Sequence, residues 1–516
     1  MQYTVEIRSP SGNRTVMAEE GRSLLSILRE TDFPISSPCG GRGTCGKCRV
    51  ICDGSLSPVT AEEKKKLTND EIASGWRLSC AAKICGPVSL QLNAAEAPDI
   101  CADFSEMSLT GTPMFKKFGA AVDIGTTTVC LRLYDENGFL ATSAAANPQS
   151  GYGADVISRI GAQLAGNGEA LKIEICGCVK SLLDEACRRA AISLEAVDAM
   201  VITGNTAMLC LFTGTSAETL SRMPFSLPDR FGREIDPATV GLKAERLYLP
   251  PCIGPFVGAD ITCSALSCGL LDAKDTVLMA DIGTNGEIVL AHNGALTACS
   301  TAAGPALEGA GISCGRIAIP GAIDSVRFEN GKVQISTIGG AVPEGICGSG
   351  IIDAVAAFLD AQVLDEYGLL DDENDVIPYL EDKQALSLCE NIYVSQKDIR
   401  MVQLAKSAIC AGMRTLLTRR ECPEEAVSTL FVAGGFGKHI RFESAAKIGL
   451  IPPKLERNAI AVGNAALAGA SMLLRSRDLC AAAEDLAART HILELNADPA
   501  FMDLYTNGMM FGEDND

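Results

Sequence analysis

The chain has 516 residues, of which 47% are hydrophobic, 21% charged and 5% aromatic. This is a globular composition and excludes a disordered or fibrous protein. The 44 Lys plus Arg stand against 64 Asp plus Glu, so the formal net charge is −20, which argues against a nucleic acid as the main partner because phosphate binding needs a basic face.

No segment of the sequence is predicted to cross a membrane. The most apolar stretch, which starts at Ala459, is too short and too rich in small residues to span a bilayer. The first ten residues alternate in polarity and lack the apolar core of a signal peptide. We therefore expect a cytoplasmic protein, whose 22 cysteines are thiols or metal ligands and not disulfides.

Residues 1–95 are predicted to form a small β-rich domain. Apolar residues alternate at Tyr3, Val5 and Ile7, which indicates a half-buried strand, and a second strand is expected near residues 14–18. Helical spacing follows at 24–28, then a loop rich in glycine and cysteine, and finally a closing strand that ends near Leu92. This order of elements is that of a β-grasp fold.

The rest of the chain is predicted to be a linker and a large α/β domain. Residues 96–117 lack periodicity and contain Pro98, Gly111 and Pro113, so we interpret them as the linker. Within 118–516, two segments resemble each other, AAVDIGTTTVCLRLYDENG and LMADIGTNGEIVLAHNG. Each is expected to form a strand, a turn and a second strand, which indicates an internal duplication with a cleft between the halves.

Four cysteines have the spacing C-x5-C-x2-C-x31-C, namely Cys39, Cys45, Cys48 and Cys80. Glycines in the first gap give the backbone the freedom to direct several N–H groups at cluster sulfurs. The pattern resembles that of plant-type [2Fe–2S] ferredoxins, C-x4-C-x2-C, with one additional residue in the first gap. Two alternatives stay open, a zinc site that uses Cys85 in place of Cys39 and buried thiols without a metal. A P-loop is rejected, because Cys48 stands where Ser or Thr is required.

The two Asp-Ile-Gly-Thr segments predict a nucleotide site. An Asp at the end of a strand can orient Mg²⁺ or its waters, and a Gly-Thr turn offers N–H and O–H donors to phosphate oxygens. Two such hairpins that face each other would clamp a triphosphate. The segment LFVAGGFGKHI, which starts at Leu430, adds glycines that would let the backbone pass close to an adenosine.

These three segments resemble the phosphate-1, phosphate-2 and adenosine motifs of the superfamily that contains actin, hexokinase and the 70-kDa chaperones. The resemblance implies a duplicated actin-like (ASKHA) ATPase domain over residues 118–516. It also implies that Asp123 and Asp281 organise Mg²⁺ and water, with Asp260 as a further candidate for activating water. The residues expected to hold the nucleotide are Gly125, Thr126, Thr127, Gly283, Thr284, Asn285, Gly434 and Gly435.

A ferredoxin-like domain joined to such an ATPase is similar to the reductive activators of corrinoid proteins. The similar motifs cover nearly the whole chain and include CGGRGTCGKCRV, GWRLSC, VDIGTTT, ADIGTNGE, AAGPALEGAGI and VAGGFG. The resemblance implies that an electron from a [2Fe–2S] cluster, together with ATP and Mg²⁺, reduces the Co(II) corrinoid of a methyltransferase-system protein to Co(I). It further implies a low-potential electron donor for the cluster.

Other activities stay open from the sequence. The main alternative is an ATP-dependent activator of a radical dehydratase or of another metalloprotein. A small-molecule kinase and a chaperone-like remodelling protein are further options. Longer members of the activator family carry a middle domain between linker and ATPase, and the position of Asp123 leaves no room for one. The sequence therefore leaves open whether the protein forms a homodimer. Residues 62–66, EEKKK, are expected to form a solvated helix face.

Overall fold

The computed structural model describes residues 1–9, 12–28, 31, 35, 41, 43, 46, 48–92, 111–435 and 440–512. These residues form an N-terminal sheet domain and two lobes, each of which is built on a six-stranded sheet. None of the helices within these ranges combines the length and the apolar character that a membrane crossing requires.

The N-terminal domain consists of one mixed sheet and three short helices in its described part. Its elements are β1 (Gln2–Ser9), β2 (Gly12–Glu19), α1 (Leu24–Leu28), β3 (Arg49–Leu56), α2 (Ala61–Lys64), α3 (Asn69–Ala73), β4 (Trp76–Leu78) and β5 (Ile84–Gln91). The strand order is β2-β1-β5-β3-β4, and β1 pairs parallel with β5. The predicted strands and helix are present, whereas β3 was not predicted.

The first lobe follows the linker. Its elements are β6 (Phe118–Ile124), β7 (Thr128–Asp135), β8 (Gly138–Ala146), α4 (Val156–Ala162), α5 (Gly168–Arg189), β9 (Val197–Gly204), α6 (Thr206–Thr213), β10 (Phe231–Ile235), β11 (Arg246–Pro251) and α7 (Ala259–Ser267). The sheet has the order β10-β11-β9-β6-β7-β8. Helices α4, α5 and α6 cover the sheet and bury an aliphatic core against it.

The second lobe contains the remaining elements. They are β12 (Thr276–Ile282), β13 (Gly286–His292), β14 (Ala295–Thr301), β15 (Ala322–Glu329), β16 (Lys332–Thr337), β17 (Gly345–Ile346), α8 (Gly348–Asp360), β18 (Tyr379–Leu380), β19 (Ala385–Cys389), β20 (Ile392–Ser395), α9 (Gln396–Arg419), β21 (Val427–Ala433), α10 (Phe442–Lys447), β22 (Ala459–Gly463), α11 (Ala465–Arg475), α12 (Leu479–Arg489), β23 (Thr490–Ile492) and α13 (Pro499–Asn507). The main sheet has the order β22-β21-β12-β13-β14-β23.

The two lobes repeat one sheet plan. In the first lobe β6 lies between antiparallel β7 and parallel β9, and in the second β12 lies between antiparallel β13 and parallel β21. A third antiparallel strand, β8 or β14, continues each hairpin. At the turn between β13 and β14, Asn293 and Gly294 have φ of 51° and 74°, as a two-residue hairpin turn requires. The duplicated α/β fold expected from the sequence is confirmed.

Helices α7 and α11 pack against each other between the two sheets. Although α11 follows β22 of the second sheet, it contacts β6 and β9 of the first. Gly469 permits this approach, because a Cβ there would lie 2.0 Å from the Cys263 carbonyl oxygen of α7. A core shared by both lobes, with Ala121 and Val289 from their two sheets, surrounds the helix pair. The carboxyl ends of β6 and β12 therefore open on one cleft.

Candidate functional site

Two turns face each other across the cleft between the lobes. Asp123 is the penultimate residue of β6, and Asp281 holds the same place in β12. Both side chains line a cavity of about 150 Å³. The other residues that the sequence analysis assigned to the nucleotide line the same cavity, namely Gly125, Thr126, Thr127, Gly283, Thr284, Asn285, Gly434 and Gly435.

Polar side chains hold the first turn in place. The Asn147 amide donates to the carbonyl oxygen of Gly125 at 2.8 Å, and Arg159 Nη2 donates to that of Thr126 at 2.6 Å. Arg159 is 1% exposed, so this guanidinium serves the interior of the lobe and not solvent. The Asn205 amide donates to the Thr126 hydroxyl at 3.1 Å. These bonds fix the turn before a ligand arrives, which lowers the entropy cost of binding.

Glu308 joins the two turns. The Thr284 hydroxyl donates to Glu308 Oε2 at 2.5 Å, and the Thr127 hydroxyl lies 3.4 Å from both Glu308 carboxylate oxygens. Thr127 belongs to the first lobe and Thr284 to the second, so this carboxylate bridges the cleft. Glu308 was not predicted from the sequence, because 181 positions separate it from Thr127. The motif AAGPALEGAGI was the signal that could have found it.

Five carboxyl groups crowd the cavity, those of Asp123, Asp260, Asp281, Glu287 and Glu308. Burial raises the pKa of Asp123 to about 6, although the Asn464 amide donates to its Oδ2 at 2.9 Å. Burial and the charges of Asp123 and Glu308 raise the pKa of Asp281 to about 7. Glu287, which the sequence analysis also missed, has its pKa raised by burial and by Asp260 and Asp281. Burial and mutual repulsion therefore both disfavour the charged form of these carboxyl groups.

This donor set fits Mg²⁺, which binds proteins through one or two carboxylates and takes waters and phosphate oxygens as further ligands. Asp123 and Asp281 are the carboxylates that end the two central strands. In the ranges that the structure describes, no three His, Cys, Asp or Glu side chains are arranged to hold a metal by themselves. A bound Mg²⁺ would therefore complete its shell with water and phosphate, and it would relieve the repulsion among the carboxylates.

A close backbone approach explains the first glycine of the third motif. Gly434 has a φ of 120°, and a Cβ on it would lie 2.3 Å from the Ile282 carbonyl oxygen. Its N–H donates to the Gly463 carbonyl oxygen at 3.2 Å. Only glycine therefore lets the end of β21 lie against the second turn. The remainder of this motif, residues 436–439, lies outside the described residues.

The cysteine site is described for two of its four predicted ligands. Cys39 and Cys45 lie outside the described residues. Cys48 is 1% exposed and neighbours Cys80, because the Ser79 N–H donates to the Cys48 carbonyl oxygen at 2.8 Å. A hydrogen bond from Cys80 outweighs burial and lowers the pKa of Cys48 to about 6, so this thiol is ready to bind as a thiolate.

The surroundings of these two thiols fit an iron–sulfur cluster. Gly41, Gly43 and Gly46 all have positive φ, between 68° and 92°, a backbone conformation that favours glycine at these three positions. Cys85, the additional ligand of the zinc alternative, is exposed on β5, and its thiol contacts the Lys83 carbonyl oxygen at 3.9 Å. Among the described cysteines of this domain, Cys48 and Cys80 contact each other through their side chains, and Cys85 takes no part in this contact.

A buried ion pair braces β4, the strand that ends two residues before Cys80. Glu63 accepts hydrogen bonds from Arg77 Nε at 2.8 Å and Nη2 at 3.0 Å, and its Oε1 also accepts from the Leu78 N–H at 3.1 Å. Glu63 is 0% exposed, so the expectation that residues 62–66 form a solvated face is wrong at this position. Capping explains the difference, because Thr60 starts α2 and draws the Glu63 carboxylate back to its own N–H.

Replacement of Glu63 by glutamine is expected to destabilise the N-terminal domain by about 3 kcal/mol, because the buried Arg77 guanidinium loses its counter-charge. Urea unfolding followed by the fluorescence of Trp76, the single tryptophan, measures the change. Burial raises the pKa of Glu63, but the bonds from Arg77 and the backbone lower it overall. The stabilisation is therefore present above about pH 4.3 and is lost as the pH falls through the folded-state pKa.

The neighbouring variant Glu62→Gln is the control, since Glu62 is exposed. It is expected to unfold at the wild-type urea concentration. Equal midpoints for Glu63→Gln and the wild type would contradict the bracing role of the pair.

Three family models match the chain in succession. A 2Fe-2S iron-sulfur cluster binding domain matches residues 8–85, the RACo middle region matches 118–273, and the C-terminal domain of RACo, the ASKHA domain, matches 275–516. The first match confirms the [2Fe–2S] cluster against the zinc and metal-free alternatives, and the third confirms the ASKHA fold, whose ligand is ATP. The middle region coincides with the first lobe, so the expectation that the chain has no room for such a region is wrong.

Relatives resemble the chain over most of its length. It is 35% identical over 428 residues to the corrinoid activation enzyme RamQ of Eubacterium limosum, and the aligned residues cover 77% of this chain and 70% of RamQ. It is 26% identical over 317 residues to the [Co(II) methylated amine-specific corrinoid protein] reductase of Methanosarcina barkeri, and the aligned residues cover 55% of this chain and 56% of that protein.

A solved structure extends the similarity to the whole chain. The reductive activator for corrinoid, iron-sulfur protein superposes with a TM-score of 0.72 at 28% sequence identity, and the superposition covers 99% of this chain and 98% of that one. The order of the three family models along the chain agrees with these matches. The chain therefore belongs to the family of reductive activators of corrinoid proteins.

Proposed function

We propose that this protein is an ATP-dependent reductive activator, which passes one electron from its [2Fe–2S] cluster to the Co(II) corrinoid of a partner protein. The product is Co(I), the state that accepts a methyl group. The observation that carries the proposal is the presence in one chain of a site for a one-electron carrier and a carboxylate-lined cleft between two duplicated turns. The similarity to RamQ and to the Co(II) corrinoid protein reductase supports cobalt as the electron acceptor.

The electron-carrying part is residues 1–95, with Cys39, Cys45, Cys48 and Cys80 as the cluster ligands. The cluster supplies one electron at a time, at a potential near −400 mV for plant-type centres. The protein keeps Cys48 as a thiolate through its contact with Cys80, and Glu63 braces β4, the strand before Cys80. Residues 96–117 tether this domain to the ATPase, residues 118–516.

Each predicted residue of the cleft has a role in binding the nucleotide and its Mg²⁺. Asp123 and Asp281 orient Mg²⁺ and its waters, because they end the two central strands at opposite walls. Thr126, Thr127 and Thr284 donate to phosphate oxygens. The remaining predicted contacts are made by the backbone near Gly125, Gly283, Asn285, Gly434 and Gly435.

ATP is needed because the electron transfer is uphill. A one-electron equilibrium changes tenfold for every ~59 mV, and Co(I) is harder to reach than a reduced plant-type cluster. A nucleotide can shift such an equilibrium only if it binds two conformations with different affinity. The two lobes provide these two conformations. Without nucleotide, Glu308 bridges the lobes by accepting hydrogen bonds from the Thr127 and Thr284 hydroxyls. With nucleotide, a phosphate accepts these hydrogen bonds and replaces the Glu308 bridge.

The test is direct. The protein with its cluster is mixed with a low-potential chemical reductant, Mg-ATP and the Co(II) form of a methyltransferase-system corrinoid protein, and Co(I) absorbance is followed. Co(I) is expected only when all components are present. Its formation at the same rate without this protein would overturn the proposal, and a phosphorylated small molecule would favour the kinase alternative.

We place the reaction in the cytoplasm, where the thiols stay reduced.

A further inference from the structure

Glu308 holds a position that none of the other carboxylates shares in the described part of the cleft. It ends the short 3₁₀ turn Pro305–Glu308, and it is the carboxylate that accepts hydroxyl donors from both turns. Asp123 is instead engaged by the Asn464 amide, and Asp260 accepts the Ile261 N–H at 2.9 Å at the start of α7.

Glu308 accepts hydrogen bonds from the same two hydroxyls that are proposed above to bind phosphate. Thr127 and Thr284 both donate to the carboxylate, so an anionic oxygen is already received at this point between the turns. A terminal phosphate and a carboxylate cannot hold the same donors together, because both are anions. Nucleotide binding therefore requires the Glu308 side chain to rotate aside.

The backbone limits how far this carboxylate can move. The Gly304 N–H donates to the Thr284 carbonyl oxygen at 2.8 Å, which ties the turn that carries Glu308 to the second phosphate turn. A rotated side chain consequently stays beside the terminal phosphate. Burial raises the pKa of Glu308, while the two hydroxyl donors and the charge of Arg159 oppose that rise and favour the form that can accept a proton.

We propose that Glu308 is the general base for ATP hydrolysis. The water oxygen forms a bond to the terminal phosphorus as the bond from that phosphorus to the bridging oxygen breaks. ADP leaves with the electron pair of the broken bond, and the water proton passes to the Glu308 carboxylate. The inference rests on the proposed ATP hydrolysis, but it does not depend on the cobalt step.

The test compares Glu308→Gln with the wild type as full-length protein that carries its cluster. Single-turnover ATP hydrolysis is expected to slow about 100-fold or more, the usual contribution of a positioned base. The affinity for Mg-ATP, measured by calorimetry, is expected to stay the same or to increase, because the amide removes a repelling charge beside the phosphate. A loss of Mg-ATP affinity as large as the loss of rate would contradict the role of a base.

Chemical rescue separates a base from a structural support. Added formate is expected to restore part of the hydrolysis rate of Glu308→Ala and none of that of Asp281→Asn. Wild-type hydrolysis by Glu308→Gln would overturn the inference. If Glu308→Gln unfolds at a lower temperature than the wild type, Glu308→Asp is used instead, since it keeps a carboxylate. ATP hydrolysis by Glu308→Asp at the rate of Glu308→Ala without formate would also overturn the inference.

Failure of the proposed function looks different. A wild-type protein that hydrolyses ATP but forms no Co(I) would refute electron delivery to cobalt, and the Glu308 measurements would still stand. A Glu308→Gln variant that hydrolyses ATP normally would refute the base alone.

Discussion

Replacement of Cys48 by serine is expected to abolish Co(I) formation and to leave ATP hydrolysis unchanged. The Cys48 thiol is buried beside Cys80 and has a pKa lowered to about 6, first through its hydrogen bond with Cys80. Serine offers iron an oxygen ligand in place of this thiolate, whereas iron–sulfur clusters are held by thiolates. The visible absorbance of the cluster and the Co(I) assay measure the two losses, and an ATPase assay measures the activity that remains.

Cys85→Ser is the matched control for this variant. Cys85 is exposed on β5 in the same domain, so the change keeps the cluster and full Co(I) formation. Loss of the cluster in Cys85→Ser, with retention in Cys48→Ser, would favour a different ligand set. Co(I) formation by Cys48→Ser at the wild-type rate would exclude the cluster as the electron donor to cobalt.

Replacement of Asp281 by asparagine is expected to lower ATP hydrolysis by about 10³-fold, because the reaction loses a carboxylate that places the cation beside the developing negative charge. Co(I) formation is expected to fall with it, while the cluster absorbance stays unchanged. Asp275→Asn, at an exposed position just before β12, is the control and is expected to retain both activities. Hydrolysis by Asp281→Asn at the wild-type rate would remove Asp281 from the proposed Mg²⁺ site.

The same variant is expected to change the pH dependence of stability. The pKa of Asp281 is raised to about 7 in the folded protein, first by burial and then by Asp123 and Glu308. The folded chain therefore binds a proton that the unfolded chain has released, and stability falls as the pH rises from about 4 towards 7. Thermal melts of the nucleotide-free protein are expected to show this decrease, and Asp281→Asn to show less of it. An identical pH profile for both proteins would contradict the burial of this carboxylate.

The sequence predicted the two paired turns well because their information is local. Asp123 and Asp281 each end a strand of apolar residues and precede a Gly-Thr turn, and the structure repeats the same strand pairing around both. Two copies of one local signal indicate a duplication. Their orientation towards one cleft follows from the repeated sheet plan.

The missed features depend on contacts that local patterns do not contain. Strand β3 has an irregular burial pattern, and Gly54 lies within its eight residues, so its alternation is weak. Glu63 lies in a run of charges that reads as exposed, yet the Thr60 cap and Arg77 turn it inward. Glu308 reaches Thr127 across 181 positions, and only the folded chain brings the two together.

The steady-state yield of Co(I) tests most directly whether nucleotide turnover drives the electron transfer. The corrinoid protein, a trace of this protein and a redox buffer of fixed low potential are mixed with either Mg-ATP or Mg-ADP, and the ratio of Co(I) to Co(II) is read from absorbance. With Mg-ATP the ratio is expected to exceed the Mg-ADP value by at least about tenfold, which corresponds to ~59 mV. The same final ratio with both nucleotides, reached only faster with ATP, would contradict an ATP-driven reduction.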